Sequence, residues 1–212
     1  MYTDIDLTDR TLTRVDLIKH ATKAANRGFG IAAPIFFLPK AREIIVEGTV
    51  STVVDVMGSC PPEIRELTVL KAIQAGANAI DIPLCTYHTV NKLFKEINDD
   101  MANLKRICDF NNTSLRLMLE YRHNTEEEIV DMLMLMKDLG IEYVFPSTGV
   151  FVDDYVDNML FGMQIQEIFF DSIKIITNGN IWQTSHIDTL HDTGLFGMRL
   201  KHSVYNTVDM DI

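Results

Sequence analysis

The sequence has few cysteines and no long apolar run, and both features limit the kind of protein it encodes. Its three cysteines, Cys60, Cys85 and Cys108, are far apart and form no C-x-x-C pattern. Such cysteines are typical of a reduced intracellular protein rather than of a secreted disulfide framework. Residues 1–9 contain no apolar signal-peptide core, and no apolar run approaches the roughly 18 residues that span a bilayer. We therefore expect a cytoplasmic protein with no membrane partner.

Basic residues are scarce as well. The chain has 19 lysines and arginines against 30 aspartates and glutamates, which gives a formal net charge of -11. A nucleic-acid surface needs clustered basic side chains, so nucleic acid is not an expected partner. A small anionic ligand is compatible with this charge, because one local pocket can oppose it. The six histidines show no H-E-x-x-H or H-x-H spacing and the cysteines do not cluster, so we expect no metal and no other cofactor.

What the sequence does contain is a regular alternation of short β-branched runs with amphipathic helical stretches. The 212 residues are 47% hydrophobic and 23% charged, which suits a single globular domain over residues 1–212. The predicted strands are residues 5–8, 30–34, 52–58, 79–84, 115–120, 143–146, 173–177 and 196–200.

The stretches between these strands have helical periodicity. One of them places Ile129, Met132 and Met136 on a single face and begins with a capping box formed by Thr125 and Glu128. Strands that alternate with helices predict an α/β fold with a parallel sheet. The count of eight predicted strands favours a closed (β/α)8 TIM barrel.

The predicted barrel is short, because barrels of this type typically have about 250 residues. Only the twelve polar and poorly periodic residues 201–212 follow the eighth predicted strand. The eighth helix is therefore expected to be missing or truncated, which would leave an apolar stripe on the first and eighth strands uncovered. We hypothesise that another subunit covers this stripe and that the protein is a homo-oligomer.

Several segments of the chain match, in order, the motifs of one known enzyme family. Residues 76–81 read G-A-N-A-I-D, residues 115–120 read L-R-L-M-L-E, and residues 140–149 read G-I-E-Y-V-F-P-S-T-G. Shorter matches are I-D-L-T at residues 5–8, T-E-E-E-I at residues 125–129 and N-G-N-I at residues 178–181. The chain thereby resembles the deoxyribose-phosphate aldolases, which have G-A-D-E-I-D, L-K-V-I-L-E and G-A-D-F-V-K-T-S-T-G at the three longer segments.

The resemblance implies a (β/α)8 barrel and a reversible aldol cleavage. In these aldolases a lysine on strand six forms an imine with the substrate carbonyl, and a second lysine on strand seven lowers the pKa of the first. An aspartate on strand four assists proton transfer. By position, the aspartate is Asp81, whereas the two lysines fall on Phe145 and Ile176. Neither replacement can form an imine, so the resemblance implies that aldol cleavage is lost or altered.

Two further residues are candidates for a catalytic role. Lys174 lies two residues before Ile176 and points to the same side of its strand, which makes it a candidate for a relocated imine lysine. Its pKa would have to be lowered, but Asp81 and Glu120, expected to face the same interior, would raise it. The alternative for Lys174 is a structural ion pair. Glu120 shares a face of strand five with Arg116, and the pair forms either an interior salt bridge or part of a catalytic site.

The resemblance also implies a phosphate-binding region after strands six, seven and eight, where backbone N–H groups of barrels often converge. On strand eight this chain has bulky residues where the aldolases have a small-residue run, G-x-S-S. The bulky side chains either fill the phosphate pocket or replace amide hydrogen bonds with positive charge. The predicted phosphate-binding residues are Ser147, Thr148, Gly149, Asn178, Gly179, Asn180, Arg199 and Lys201.

The sequence leaves three functions open. The first is an aldolase-like barrel that binds a small phosphorylated sugar or aldehyde, with aldol cleavage lost or altered. The second is an active aldehyde-lyase that uses a relocated lysine such as Lys174. The third is a non-catalytic barrel that binds a protein partner or acts as a scaffold. The turn at residues 178–181 is also similar to phosphate loops of flavin-binding barrels, although that match covers only the last quarter of the chain.

Overall fold

Parallel strands form a closed barrel in the order β1 to β8, so the predicted TIM-barrel architecture is confirmed. The structure is a computed structural model that describes residues 1–150, 154–179, 181 and 183–207. The strands are β1 (Tyr2–Asp6), β2 (Gly30–Ala32), β3 (Val50–Val53), β4 (Ala79–Pro83), β5 (Ser114–Met118), β6 (Tyr143–Phe145), β7 (Lys174–Thr177) and β8 (Gly197–Lys201). Each overlaps a predicted strand, although several ends differ by a few residues.

Helices follow the strands and surround the barrel. They are α1 (Arg14–Ala25), α2 (Leu38–Ile44), α3 (Pro62–Gln74), α4 (Thr86–Val90), α5 (Phe94–Phe110), α6 (Glu126–Asp138), α7 (Tyr155–Phe169), α8 (Thr184–His191) and α9 (His202–Thr207). The capping box predicted for α6 is present, with Glu128 N donating to Thr125 Oγ1 (3.3 Å) and Thr125 N donating to Glu128 Oε2 (2.9 Å). Within the described ranges, no helix is both long and apolar enough to cross a membrane.

The main hydrophobic core lies between the barrel and the helices. Strand residues that point outward, such as Ile80, Leu117 and Ile175, are fully buried, and helix residues such as Met132 and Leu133 belong to the same cluster. Burial of an aliphatic side chain of this size stabilises the fold by about 1.5–3 kcal/mol relative to exposure. This outer core fixes the strands, and therefore the positions of the side chains at their carboxyl ends.

The barrel interior begins with an aromatic layer at the amino ends of the strands. The Tyr2 ring stacks on Phe196 at 5.7 Å between centroids, and Phe196 contacts Tyr143 at 5.4 Å. Two glycines make room for Tyr2, because a Cβ at Gly30 would lie 2.9 Å from the Tyr2 hydroxyl and one at Gly197 would lie 2.8 Å from the Tyr2 ring. The interior is therefore packed with side chains and is closed at this end.

The helix that follows β8 is α9, which comprises six of the described residues. Val204 and Tyr205 of this helix are buried, and α9 packs on both β1 and β8. The Tyr205 hydroxyl donates to the Lys23 carbonyl oxygen (2.8 Å) on α1. The helix thus covers the edge where we expected an uncovered apolar stripe. That argument for a second subunit is lost, and the homo-oligomer stays a prediction.

Candidate ligand site at the carboxyl end of the barrel

Asp81 on β4 is fully buried in the middle of the barrel and is held by two arginines. Arg116 on β5 donates from Nε to Asp81 Oδ1 (2.5 Å) and from Nη2 to Oδ2 (3.0 Å). Arg199 on β8 donates from Nη2 to Asp81 Oδ2 (2.7 Å), and the Ser51 hydroxyl donates to the same oxygen (3.0 Å). Both oxygens of the carboxylate are therefore engaged by charged donors.

Asp4 on β1 completes the arrangement. Arg199 donates to it from Nε (2.8 Å) and from Nη2 (2.9 Å), and Arg116 Nη2 lies 3.4 Å from it. The Tyr2 hydroxyl donates to Asp4 Oδ2 (3.2 Å) and accepts from Arg116 Nη1 (3.0 Å). We name the four residues Asp4, Asp81, Arg116 and Arg199 the charged layer. It contains two carboxylates and two guanidinium groups, and each guanidinium group pairs with both carboxylates. Buried charges are tolerated only when they are paired in this way.

The two positions on which the resemblance places the aldolase lysines lie against the charged layer. Phe145 and Ile176 are fully buried and form an interior apolar cluster with Met118. The Phe145 ring centroid lies 4.2 Å from Cζ of Arg199 and 5.1 Å from Cζ of Arg116, which is the range of cation–π contacts. Apolar and guanidinium groups therefore fill the space in which an imine lysine would stand.

The electrostatics of the charged layer favour its ionised form. Burial alone would raise the pKa of Asp81, but Arg116 and Arg199 outweigh it and hold this pKa below its usual range. Burial opposes the charge on Arg199 too, yet Asp4 and Asp81 raise its pKa well above the ordinary value. The pKa of Tyr2 is raised to about 12, first by burial and then by the neighbouring Asp4. A carboxylate with a lowered pKa that is paired with two arginines is poorly suited to exchange a proton with a ligand.

Lys174 does not approach Asp81. It is the first residue of β7, at the amino end of the barrel, and its Nζ donates to Glu142 Oε2 (2.8 Å). The amine also lies 5.0 Å from the ring centroid of Tyr143 and 5.9 Å from that of Phe196, in the aromatic layer. The hydrogen bond to Glu142 raises the pKa of Lys174, which keeps the amine protonated. An imine lysine needs the opposite shift.

A cavity of about 820 Å³ opens above the charged layer, at the carboxyl ends of the strands. We name it the mouth cavity. Of the predicted phosphate-binding residues, those that line it are Thr148, Gly149, Asn178, Arg199 and Lys201. Arg10, which the sequence analysis did not single out, lines it too, as do Asp6 and Asp55. The mouth cavity thus presents hydroxyl, amide and cationic groups in the place where barrel proteins bind ligands.

Ser147 and Gly179 lie beside the mouth cavity in a network centred on Asn158 of α7. Asn158 Nδ2 donates to Asn178 Oδ1 (3.3 Å), and the Thr177 hydroxyl donates to Asn158 Oδ1 (2.7 Å). The Asn178 Nδ2 group donates to the Ser147 carbonyl oxygen (2.6 Å). A Cβ on Gly179 would lie 2.9 Å from Asn158 Cβ, so only glycine fits there. Asn180 lies outside the described residues.

Glu120 lies beyond the end of β5 and faces a different cavity. Its Oε1 accepts from the Thr148 backbone N–H (2.8 Å) and from the Thr148 hydroxyl. The interior salt bridge between Glu120 and Arg116, one of the two alternatives above, is wrong, because Arg116 points inward to Asp81 and Asp4. Glu120 lines a side cavity of about 300 Å³ that shares Met118 and Thr148 with the mouth cavity.

The sequence analysis did not identify two residues that build the site, Asp4 and Asn158. Asp4 precedes the predicted start of the first strand, so its inward direction was not recognised; the alternation Tyr2, Asp4, Asp6 is the signal that could have found it. Asn158 is a lone asparagine on a helix, and nothing in the local sequence distinguishes it. Among the described residues, no three His, Cys, Asp or Glu side chains converge as metal ligands.

The fold and the mouth cavity define a (β/α)8 barrel with a polar cavity at the carboxyl ends of its strands, where barrel enzymes bind their ligands. No family model matches the chain. In sequence it is similar to the deoxyribose-phosphate aldolase of Thermococcus kodakarensis, with 24% identity over 143 residues, which cover 65% of this chain and 64% of that protein. It is also 25% identical over 152 residues to the deoxyribose-phosphate aldolase of Mycoplasma mycoides subsp. mycoides, covering 70% and 76% of the two chains. The chain therefore spans less than two thirds of the Thermococcus relative.

Solved structures show the same fold. The aldolase QR15 superposes with a TM-score of 0.85 at 16% identity and covers 96% of this chain and 90% of its own. The tetrameric deoxyribose phosphate aldolase of Aeropyrum pernix gives a TM-score of 0.82 at 14% identity, with 96% and 86% covered. The protein is thus deoxyribose-phosphate aldolase-like in sequence and in fold.

Proposed function

We propose that this protein descends from the deoxyribose-phosphate aldolases and binds a small phosphorylated sugar or aldehyde in the mouth cavity without cleaving it through an imine. The observation that carries the proposal is the pairing of Asp81 with Arg116 and Arg199. The carboxylate that would assist proton transfer is buried and neutralised, and the groups that neutralise it are not amines of the imine-forming kind.

The loss of imine chemistry follows from the nature of these partners. An imine forms only from an unprotonated amine, whereas a guanidinium stays protonated in proteins. In the described residues, the ion pairs of Asp81 are made by arginines alone. Phe145 and Ile176 leave no polar group at the two corresponding strand positions.

Anion binding is supported by the cationic side chains that line the mouth cavity. Arg199 is neutralised by Asp4 and Asp81, so its charge is largely committed to the charged layer. Arg10 and Lys201 line the same cavity and are exposed. Thr148 and Asn178 also line the cavity, with their side-chain donors directed to Glu120 and to the Ser147 carbonyl oxygen. Charge-assisted hydrogen bonds from such cations are the strong contacts of phosphate sites.

An active aldehyde-lyase is the second candidate, and one observation favours it. Lys201 follows Arg199 by two residues on β8, and among the described residues it is the lysine that lines the mouth cavity. An aldolase that uses a relocated amine would therefore use Lys201 rather than Lys174. Such an enzyme would have to work without Asp81, since that carboxylate is buried beneath the cavity.

Thermal unfolding in the presence of deoxyribose phosphate tests the binding half of the proposal. We expect a saturable rise in Tm, because a ligand that binds only the folded state stabilises it. The variant Lys201→Met should bind deoxyribose phosphate about tenfold more weakly, because it loses a charge-assisted contact. The matched control is Lys174→Met, which removes the same charge at the opposite end of the barrel and should leave the affinity unchanged. No rise in Tm with any sugar phosphate would contradict anion binding.

A further inference from the structure

The side cavity next to the mouth has a chemical character of its own. Its apolar walls come from the loops after β3 and β4, from helix α4 and from the end of β5, and are formed by Val56, Met57, Leu84, Val90, Met118 and Leu119. These apolar groups enclose about 300 Å³, which is enough for a small organic molecule. An apolar wall alone would suit many ligands, so the polar groups decide which class fits.

Glu120 is an acidic residue of this cavity for which the described residues provide no ion pair. Thr148 fixes its orientation by donating twice to Oε1. Among the described residues, Oε2 accepts no hydrogen bond and no cation lies within ion-pairing distance of the carboxylate. A rigidly held carboxylate in a largely apolar wall is a strong acceptor for a cationic donor, because screening by water is reduced there.

The other charges around the cavity do not neutralise Glu120. Lys92, on the rim, is paired with Glu128 at 2.7 Å between Nζ and Oε1. Glu128 in turn accepts from the Thr125 backbone through Oε2, so its position is set by the start of α6. His123 also lines the cavity and has an interaction of its own. Because the charges of Lys92 and Glu128 cancel each other, the Glu120 carboxylate makes the cavity negatively charged.

We propose that the side cavity is a separate binding site for a small primary alkylamine. The ammonium group pairs with Glu120 Oε2, and the alkyl chain lies against Leu84, Val90 and the neighbouring apolar side chains. The ligand has the charge opposite to the one that the mouth cavity favours, so the two adjoining cavities select different molecules. The site requires no covalent chemistry and is independent of whether the mouth cavity binds a phosphate.

The experiment compares three ligands of one shape and different charge: n-hexylamine, 1-hexanol and hexanoate. Methyl NMR of the protein reports where each binds, with Leu84 in the side cavity and Ile35 in the mouth cavity. We expect saturable shifts of the Leu84 methyls with hexylamine, weaker shifts with hexanol, and none with hexanoate. Ile35 should stay unchanged with hexylamine. Equal binding of hexanoate and hexylamine, or shifts at Ile35 alone, would overturn the proposal.

Two variants distinguish the contribution of the Glu120 carboxylate to binding from that of the apolar wall. Glu120→Gln keeps an oxygen for the two Thr148 donors, so the fold is preserved, but it should weaken hexylamine about tenfold and leave hexanol within twofold. The control Glu126→Gln removes the same charge from the exposed first turn of α6, outside the cavity, and should change neither affinity. If Glu120→Gln binds hexylamine as well as the unmodified protein, the assignment of the ammonium site is incorrect.

Discussion

The charged layer and the mouth cavity are built from the same strands, two residues apart, yet they have opposite properties. β1 contributes Asp4 to the layer and Asp6 to the mouth, and β8 contributes Arg199 and then Lys201. In the layer every charge is buried and paired, whereas at the mouth Arg10 and Lys201 are exposed. The comparison shows that a step of two residues along a strand separates a buried side chain from one that reaches the mouth of the barrel.

The largest effect is expected from removing a cation of the charged layer. Arg199→Met leaves Asp4 and Asp81 buried with only Arg116 to compensate them, and should lower the free energy of unfolding by about 3–5 kcal/mol. Urea denaturation measures this. Lys174→Met, which breaks an exposed pair with Glu142, should cost no more than about 1 kcal/mol. Equal costs for the two variants would show that the layer is not the stabilising element we describe.

Introducing a lysine at Phe145, where the resemblance places the imine lysine, should not produce an aldolase. Phe145→Lys places a third cation beside Arg116 and Arg199, where no carboxylate is unpaired, and should destabilise the fold by about 3 kcal/mol. The matched variant Phe145→Leu removes the ring without adding charge and should cost less. A well-folded Phe145→Lys protein that gains aldol-cleaving activity would mean that the interior is more adaptable than its ion pairs suggest.

A smaller effect is expected at the edge of the layer. Tyr2→Phe removes the hydroxyl that bridges Asp4 and Arg116 and should lower the free energy of unfolding by about 1–2 kcal/mol, as for other buried hydrogen bonds. Chemical denaturation monitored by circular dichroism gives the value. The Tyr2 ring keeps its packing on Phe196, so the cost measures the hydroxyl itself. If the Tyr2→Phe variant is as stable as the unmodified protein, the hydroxyl does not contribute to the network.

Titration distinguishes Asp81 from a second buried carboxylate, Asp100 on α5. Burial raises the pKa of Asp100 despite its pairing with Arg65 at 3.0 Å, whereas the two arginines hold the pKa of Asp81 below its usual range. A lowered pKa means that Asp81 stabilises the fold above about pH 4 and that this contribution is lost as the pH falls further. NMR of the carboxyl carbons should therefore show Asp100 titrating at higher pH than Asp81. The reverse order would contradict the electrostatic description of the charged layer.

Much of the fold could be predicted from the sequence because it depends on local patterns. β-branched runs and helical periodicity located each strand, and the Thr125 capping box located the start of α6. The contacts inside the barrel could not be predicted in the same way. Arg116 was paired in one interpretation with Glu120, four residues along the chain, but β5 ends at Met118 and Glu120 has left the interior. The true partners come from β1 and β4, and the stagger of the closed barrel, which sets those distances, has no signature in any one segment.

The candidate site, too, could be predicted from the sequence only in part. The resemblance placed Thr148, Gly149 and Lys201 near one another, and they line the mouth cavity. Whether a side chain such as Arg199 is available to a ligand or committed to the interior depends on which carboxylates it meets. That information resides in the tertiary structure.

The most direct test of the account is to incubate the protein with acetaldehyde and borohydride and to map any covalent increment by mass spectrometry. We predict that Lys201 and Lys174 gain no more adduct than exposed lysines such as Lys95, since in the part of the chain that the structure describes the ion pairs of Asp81 are made by arginines. A stoichiometric adduct on Lys201, competed by deoxyribose phosphate, would contradict the central claim and identify a working aldolase.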